Sequence, residues 1–186
     1  MKPLRADARR NRARLLEVAY EVFAAEGLGV PIDEIAQRAG VGAGTVYRHF
    51  PTKDSLFAAI VVNRVDRLVS QARTLAASGD PGQAFFDYLL LVAEEGAADM
   101  GLVEALAGTG FDIEAAAPMA EQELRDAIEG LLSRAQAAGA VREDIDVADV
   151  KTLIVGCQAM HRYRGAADMP DRLMEVVLEG LRPSPT

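Results

Sequence analysis

The stretch from Pro31 to Phe50, PIDEIAQRAGVGAGTVYRHF, has the form of a helix-turn-helix. Two short segments with helical periodicity flank a tight turn at Gly40, where a positive φ angle is cheap only for glycine. Ala36 lies where the first helix crosses the second, and a larger side chain there would hold the helices apart. Three apolar side chains fill the wedge between the helices: Ile35, Val41 and Val46. An ordinary helical hairpin is the alternative, and the combined spacing favours the helix-turn-helix.

The second helix of this pair carries the side chains that reading the major groove of DNA requires. Its exposed residues are small or can donate hydrogen bonds: Ala43, Gly44, Thr45, Tyr47, Arg48 and His49. Arg48 can make a bidentate contact with guanine, although a surface salt bridge is the ordinary role of a single arginine. Side chains suited to phosphates, which fix register without reading sequence, are Thr45, Tyr47, His49 and Lys53. The pattern predicts a DNA-binding site at these seven positions.

The charge of the chain is unevenly distributed along its length. The 186 residues carry a net charge of −8, which at first argues against a nucleic-acid partner. However, residues 1–14 hold six basic residues and one acid, whereas residues 57–186 hold 11 basic and 21 acidic residues. A basic N-terminal end on an acidic body indicates that the first part meets a polyanion. A solvated basic tail is the alternative explanation.

The remaining sequence also has helical periodicity, so we expect an all-α fold of about nine helices. The first helix is predicted over about residues 7–26, and two short helices follow in the motif. A long fourth helix, with Thr52 as its N-cap, is predicted to run to about Ala77. Five further helices are predicted after the loop at residues 78–82. The first ends before Asp99, and a weak one covers residues 102–110. The others cover about residues 118–138, residues 146–164 with Asp146 as the cap, and about residues 170–181.

Residues 7–57 resemble the DNA-binding domain of the TetR family of bacterial regulators. The stretches that carry the resemblance are Ile32–Ala36, Ala39–Val41, Gly44–Phe50 and Lys53–Leu56, together with Phe23 and Gly27 at the end of the first helix. The resemblance implies that Tyr47, His49 and Lys53 bind phosphate and that Thr45 and Arg48 lie at the base edges. The chain departs from the family pattern at Pro31–Ile32 and at Gly42, where Ser or Thr is usual.

The later part of the chain is similar to a TetR regulatory domain in helix count and order. The stretch from Leu131 to Arg142, followed by Asp144, looks like a common actinobacterial type of that domain. We therefore expect two domains: residues 1–52, which bind DNA, and residues 53–186, which regulate and dimerise. The expected protein is a repressor that binds a palindromic double-stranded DNA operator as a homodimer and is released by a small, mostly apolar effector.

The sequence offers little that an enzyme would need. It has two histidines, and His49 belongs to the recognition helix. Cys157 and His161 are four residues apart on one helical face, which suits either a metal or nucleophile site or a dry interface. The glycines from Gly40 to Gly44 follow no strand, so they are not a phosphate-binding loop. We expect no enzymatic activity, no cofactor and no bound metal.

The expected location of the protein is the cytoplasm. The N-terminus has no apolar core of a signal peptide, and a single cysteine is consistent with a reducing compartment. No apolar run approaches the length of about 18 residues that a membrane span needs. We therefore expect no membrane association.

Two further sites are predicted in residues 53–186, an effector pocket and a dimer interface. An effector pocket is predicted at Phe85, Tyr88, Leu89, Phe111, Gln158 and His161, although plain core packing is an alternative for each apolar member. A dimer interface is predicted on the last two helices at Val150, Leu153, Cys157, Leu173 and Val177. Two alternatives stay open: control by a partner protein, and a ligand sensor that does not bind DNA.

Overall fold

The computed structural model describes residues 3–77, 79–107, 110–112, 115, 117–164 and 171–183. Over these residues the chain forms eight helices and no strand, which confirms the all-α prediction. The helices are α1 (Pro3–Glu26), α2 (Ile32–Ala39), α3 (Ala43–His49), α4 (Lys53–Ala76), α5 (Pro81–Ala107), α6 (Pro118–Ala137), α7 (Val147–Arg164) and α8 (Asp171–Leu181). None of these helices, in the part of the chain that was described, is long and apolar enough to cross a membrane.

Two of the predicted N-caps are confirmed by reciprocal hydrogen bonds. The backbone N–H of Ser55 donates to Thr52 Oγ1 at 3.1 Å, and the N–H of Thr52 donates to Ser55 Oγ at 3.2 Å. Asp146 Oδ1 accepts from Asp149 N at 3.0 Å, while Asp149 Oδ2 accepts from Asp146 N at 3.0 Å. Such pairs satisfy backbone donors that a helix start leaves without intrahelical partners.

The prediction that a helix ends before Asp99 is wrong, because α5 continues to Ala107. A single glycine at position 101 costs a helix only about 1 kcal/mol relative to alanine. The residues that follow it include Leu102 and Leu106, which lie one helical turn apart and are both buried. Burial of this apolar pair outweighs the local cost, so the predicted break and separate segment become one continuous helix.

The chain divides into two compact units. The first unit comprises Met1–Val65 and Gly101–Ala120, and the second comprises Asp66–Met100 and Glu121–Thr186. The core of the first unit is built from α1 to α4 and includes Leu102 and Leu106 of α5. The core of the second unit draws apolar residues from α4, α5, α6, α7 and α8. The helices α4 and α5 therefore contribute residues to both units.

Candidate nucleic-acid interface

The turn between α2 and α3 is closed by the backbone of Gly40. This residue has φ 68° and ψ 30°, a left-handed conformation that costs a residue with a side chain roughly 1–2 kcal/mol. The N–H of Gly40 donates to the carbonyl of Gln37 at 3.1 Å, and the N–H of Val41 donates to that of Ala36 at 2.9 Å. This pair of bonds is a Schellman motif, which ends α2 and sets the direction of the chain into α3.

The recognition helix α3 is anchored by one side chain. Val46 is the buried residue of this helix and is fully enclosed, as is Ile35 of α2. Ala36 is 1% exposed, so a larger side chain at this position would push against its neighbours. Val41 packs against the same cluster while half-buried. The wedge predicted from the sequence is confirmed.

The outer face of α3 presents the predicted DNA-binding residues to solvent. Gly44, Thr45, Tyr47, Arg48 and His49 are exposed, and Ala43 is half-buried. The first turn of α3 has no acidic residue, and its last turn contains the two basic ones. Within the part of the chain that the structure describes, Arg48 makes no ion pair. The guanidinium is therefore available for an external acceptor.

Lys53 is placed differently from the other six residues of the predicted site. Its Nζ donates to the carbonyl oxygen of Leu28 at 2.5 Å and lies 5.6 Å from the centroid of the Phe23 ring. The lysine thereby ties the connection between α1 and α2 to the first turn of α4. An ammonium group has three N–H donors, so two are left for a phosphate.

Arg12 is a candidate DNA contact outside the seven predicted positions. It is exposed on α1, and its guanidinium lies over the ring of Phe50, 5.6 Å from the centroid. Phe50 directly follows α3, so this stacking places a cation beside the end of the recognition helix. The basic character of residues 1–14 is the sequence feature that could have identified Arg12. The side chains of Lys2, Arg5 and Arg9 lie outside the described residues.

Arg38 shows the opposite arrangement, because its charge is satisfied within the protein. The guanidinium forms hydrogen-bonded ion pairs with Glu26 and with Glu34. These bonds raise the pKa of Arg38 and hold the pKa of Glu26 below its usual value. Of the two arginines on the helix-turn-helix, Arg48 is therefore the one whose charge is free for DNA.

The predicted effector-pocket residues fall in different places. Phe85, Tyr88 and Leu89 are buried in the core of the second unit. Gln158 is also buried there, and its Nε2 donates to the carbonyl of Val92 at 3.4 Å. Phe111 belongs to the first unit, where its ring packs edge-on against Phe57 with the centroids 5.9 Å apart. The side chain of His161 lies outside the described residues.

The predicted dimer-interface residues are mostly turned into their own protomer. Val150 is fully buried, and Cys157 packs with Ala93 and Met174. Burial raises the pKa of the Cys157 thiol, which keeps it protonated and poorly nucleophilic. The half-buried members are Leu153, Leu173 and Val177. The large apolar side chains that α7 and α8 expose are instead Val155, Tyr163 and Val176.

The described side chains contain no group of three or more acidic, histidine or cysteine residues that could hold a metal ion. Two adjacent acidic residues, Glu94 and Glu95, lie on α5. One of them is engaged within the protein, because Glu95 accepts a hydrogen bond from Arg67 at 3.0 Å.

Comparisons with known proteins match both parts of the chain. Residues 15–60 match the family model for bacterial regulatory proteins of the tetR family. Residues 80–183 match the model for the C-terminal domain of SbtR-like transcriptional regulators. An HTH-type transcriptional regulator of Staphylococcus aureus, SAUSA300_2515, is 30% identical over 107 residues. This match covers 55% of the present chain and 58% of the relative, so it spans little more than half of that protein.

Solved structures extend the similarity over nearly the whole chain. The TetR transcription regulatory protein from Mycobacterium vanbaalenii is 54% identical, with a TM-score of 0.82, and the match covers 97% of this chain and 100% of that one. A second structure, described as the molecular basis for control of antibiotic production by bacterial hormones, is 27% identical. Its TM-score is 0.74, and the match covers 94% of this chain and 98% of that one.

The family models describe transcriptional regulators, which agrees with the expectation that the protein is not an enzyme. The C-terminal model alone spans more than half of the chain, and the N-terminal model covers the helix-turn-helix whose geometry is given above. The chain belongs to the TetR family of bacterial transcriptional regulators.

Proposed function

We propose that this protein is a repressor that binds a near-palindromic operator as a homodimer and releases it when a small, mostly apolar molecule binds. In this proposal residues 1–52 bind DNA and residues 53–186 regulate and dimerise. The observation that carries the proposal is the outer face of α3, where Thr45, Tyr47 and Arg48 are exposed above a single buried anchor. Such a regulator works in the bacterial cytoplasm, where the DNA is.

The division of roles on α3 follows from side-chain chemistry. Arg48 can donate two parallel hydrogen bonds to guanine, which distinguishes this base from the other three. Gly44 adds no side chain, and a Cβ atom at this position would meet nothing within 4 Å, so DNA can approach the helix closely. Tyr47 and His49 can each donate a single hydrogen bond to a phosphate, and Lys53 keeps two donors that can do the same.

A dimer is proposed because the exposed apolar side chains of α7 and α8 need a partner. Tyr163 is 94% exposed, Val176 is 69% exposed and Val155 is 51% exposed. Exposed glycines on the same two helices, Gly156 and Gly180, have no neighbouring atom within 4 Å of a Cβ position, which permits close approach of a second helix. A two-fold dimer places two recognition helices about 34–36 Å apart, one turn of DNA.

An effector is proposed because α4 contributes to both compact units. A ligand that displaces the part of α4 in the second unit acts on the first unit through the same helix. The similar structure described above concerns control of antibiotic production by bacterial hormones, which supports a small molecule as the signal here. A preference of about 100-fold for the released state corresponds to about 2.7 kcal/mol of coupling, an ordinary magnitude for allostery.

The test of this function is selection of duplex DNA from a randomised library, followed by affinity measurements over a range of salt concentrations. The affinity should fall steeply with salt, with a slope of about −0.9 for each neutralised phosphate. Arg48→Ala should weaken binding to the selected site by roughly 1–3 kcal/mol and relax its sequence preference. Lys53→Ala should weaken selected and random duplexes by similar factors.

The two variants serve as controls for each other. If Lys53→Ala changes base preference and Arg48→Ala does not, their roles are exchanged. A selection that returns no duplex would favour a ligand sensor that does not bind DNA. Selection of an operator whose binding responds to proteins and to no small molecule would favour control by a partner protein.

A further inference from the structure

An open cleft in the first unit contains the side chain of Lys53. The cleft has a volume of about 250 Å³, and its lining residues all belong to this unit. Apolar cavities of about 150 Å³ bind a molecule the size of benzene, so the cleft has room for one aromatic ring and a small polar group. The residues that line it are Leu28, Lys53, Asp54, Phe57, Gly110 and Phe111.

Aromatic side chains form the apolar part of the cleft. Phe57 is buried, and its ring meets that of Phe111 edge-on with the centroids 5.9 Å apart. Phe111 is half-buried, so part of its ring remains accessible. A Cβ atom at the neighbouring Gly110 would meet nothing within 4 Å, which leaves the adjacent space empty. A further aromatic ring can therefore pack against Phe111 in the offset or edge-on arrangements that such rings favour.

Two side chains of opposite charge form the polar part of the cleft. The Nζ atom of Lys53 donates to the carbonyl oxygen of Leu28 at 2.5 Å, and two of its three N–H donors remain. The next residue, Asp54, is exposed, and its ionised carboxylate only accepts hydrogen bonds. The cleft therefore offers both donors and acceptors next to an aromatic wall. A ligand gains from both side chains if it carries an acceptor and a donor but no charge of its own.

Ligands with a single type of polar group match the cleft less well. A carboxylate would pair with Lys53 but lie close to the like charge of Asp54, and an ammonium group would have the reverse difficulty. A hydrocarbon ring would displace water from both charged groups without replacing its hydrogen bonds. A carboxamide has a carbonyl oxygen that accepts and an NH₂ group that donates, so it can satisfy both side chains at once.

We propose that this cleft binds an uncharged molecule in which a carboxamide is attached to an aromatic ring. The ring packs against Phe111, the carbonyl oxygen accepts from Lys53, and the amide N–H donates to Asp54. This inference goes beyond the proposed function, because such binding requires no DNA. It also bears on DNA binding, since the ligand uses one of the two donors that Lys53 otherwise keeps for a phosphate.

The experiment titrates the whole chain with benzamide, benzoate, benzylamine and toluene and follows binding by NMR. Benzamide should bind at least tenfold more tightly than toluene, because it forms hydrogen bonds with two charged groups, and the two ionic probes should fall between them. Phe111→Leu keeps an apolar side chain but removes the ring, and it should weaken benzamide binding about two- to tenfold. Equal affinities for the four probes, or failure of all four to bind, would overturn the proposal.

Asp54→Asn gives the sharper test, because it removes a charge from an exposed position and keeps the shape of the side chain. Asparagine can donate to a carboxylate, so the ratio of the benzamide and benzoate affinities should shift at least tenfold in favour of benzoate. The matched control is Asp66→Asn, an exposed acid on the same helix that does not line the cleft, and it should leave the ratio unchanged. An unchanged ratio in Asp54→Asn, or an equal shift in Asp66→Asn, would refute the role of Asp54.

Measurements with duplex DNA test the competition for Lys53. Saturating benzamide should weaken the binding of selected and random duplexes by similar factors, because a phosphate contact does not read sequence. An affinity for DNA that stays the same in saturating benzamide would contradict this competition. Failure of the wild-type protein to bind any duplex would refute the proposed regulator, while the preference for benzamide would still support the cleft as a binding site.

Discussion

Replacing Gly40 with alanine tests whether the turn of the helix-turn-helix depends on a left-handed backbone. A Cβ atom at Gly40 would meet nothing within 4 Å, so steric contact with the rest of the protein contributes no cost. The cost is conformational, because φ is 68° and a residue with a side chain pays roughly 1–2 kcal/mol in this region. Alanine also restricts the conformations of the unfolded chain more than glycine does, which stabilises the folded state by about 0.4–1 kcal/mol. The net expectation is a loss of about 1 kcal/mol.

The matched control is the same substitution four residues later, at Gly44. This glycine lies within α3 and does not have a positive φ angle. A Cβ atom at Gly44 would also meet nothing within 4 Å. Gly44→Ala should therefore stabilise the protein by about 0.5–1 kcal/mol, because alanine favours helix. Gly40→Asn should cost less than Gly40→Ala, because asparagine tolerates the left-handed region.

Thermal unfolding followed by circular dichroism measures these effects. For a chain of this size about 1 kcal/mol corresponds to a shift of about 2–4 °C in the melting temperature. The midpoint should fall for Gly40→Ala, fall less for Gly40→Asn and rise for Gly44→Ala. If the two alanine variants shift the midpoint in the same direction, the backbone conformation of Gly40 is not what stabilises the turn.

Two further predictions concern the surface. The double variant Val155→Glu and Val176→Glu should sediment as a monomer and bind operator weakly, while keeping the helical content of the wild type, because both side chains are exposed in the protomer; an intact dimer would place the interface elsewhere. Arg38→Gln removes the partner that holds the pKa of Glu26 below its usual value. The stabilisation from a depressed carboxyl pKa is present above the unfolded value and lost as pH falls through the folded value. The melting temperature of the wild type should thus exceed that of Arg38→Gln at neutral pH, and the gap should narrow as pH falls below the ordinary glutamate pKa of about 4.3; a gap that stays constant down to pH 3 would contradict this account.

The local features of the helix-turn-helix could be predicted because their causes are local. The turn at Gly40, the burial of Val46 and the caps at Thr52 and Asp146 each depend on residues a few positions apart. The same reasoning fails for the end of α5. Asp99, Met100 and Gly101 have the composition of a break, and the burial of Leu102 and Leu106 that outweighs it becomes visible only in the folded chain.

The contacts of single side chains were least predictable where they join distant parts of the chain. Lys53 meets the carbonyl of Leu28 across 25 positions, and no local pattern marks that carbonyl as an acceptor. Phe111 packs against Phe57 although 54 positions separate them. Periodicity tells which face of a helix is apolar but not which cluster that face joins. This limitation matters less for the outer face of α3, because a surface that contacts DNA must be exposed and need not join a particular cluster.

The single buried anchor of α3 also bears on how such regulators diverge. Only Val46 of its seven residues lies in the core, so most positions of the recognition helix contribute little to folding. Substitutions at exposed positions of this kind change stability by about 0.5 kcal/mol or less in either direction. In the proposed regulator, a lineage can therefore replace Thr45, Tyr47 or Arg48 and acquire a new operator without first evolving a compensating change in the core. The same architecture makes α3 a practical place to engineer altered DNA specificity on an unchanged scaffold.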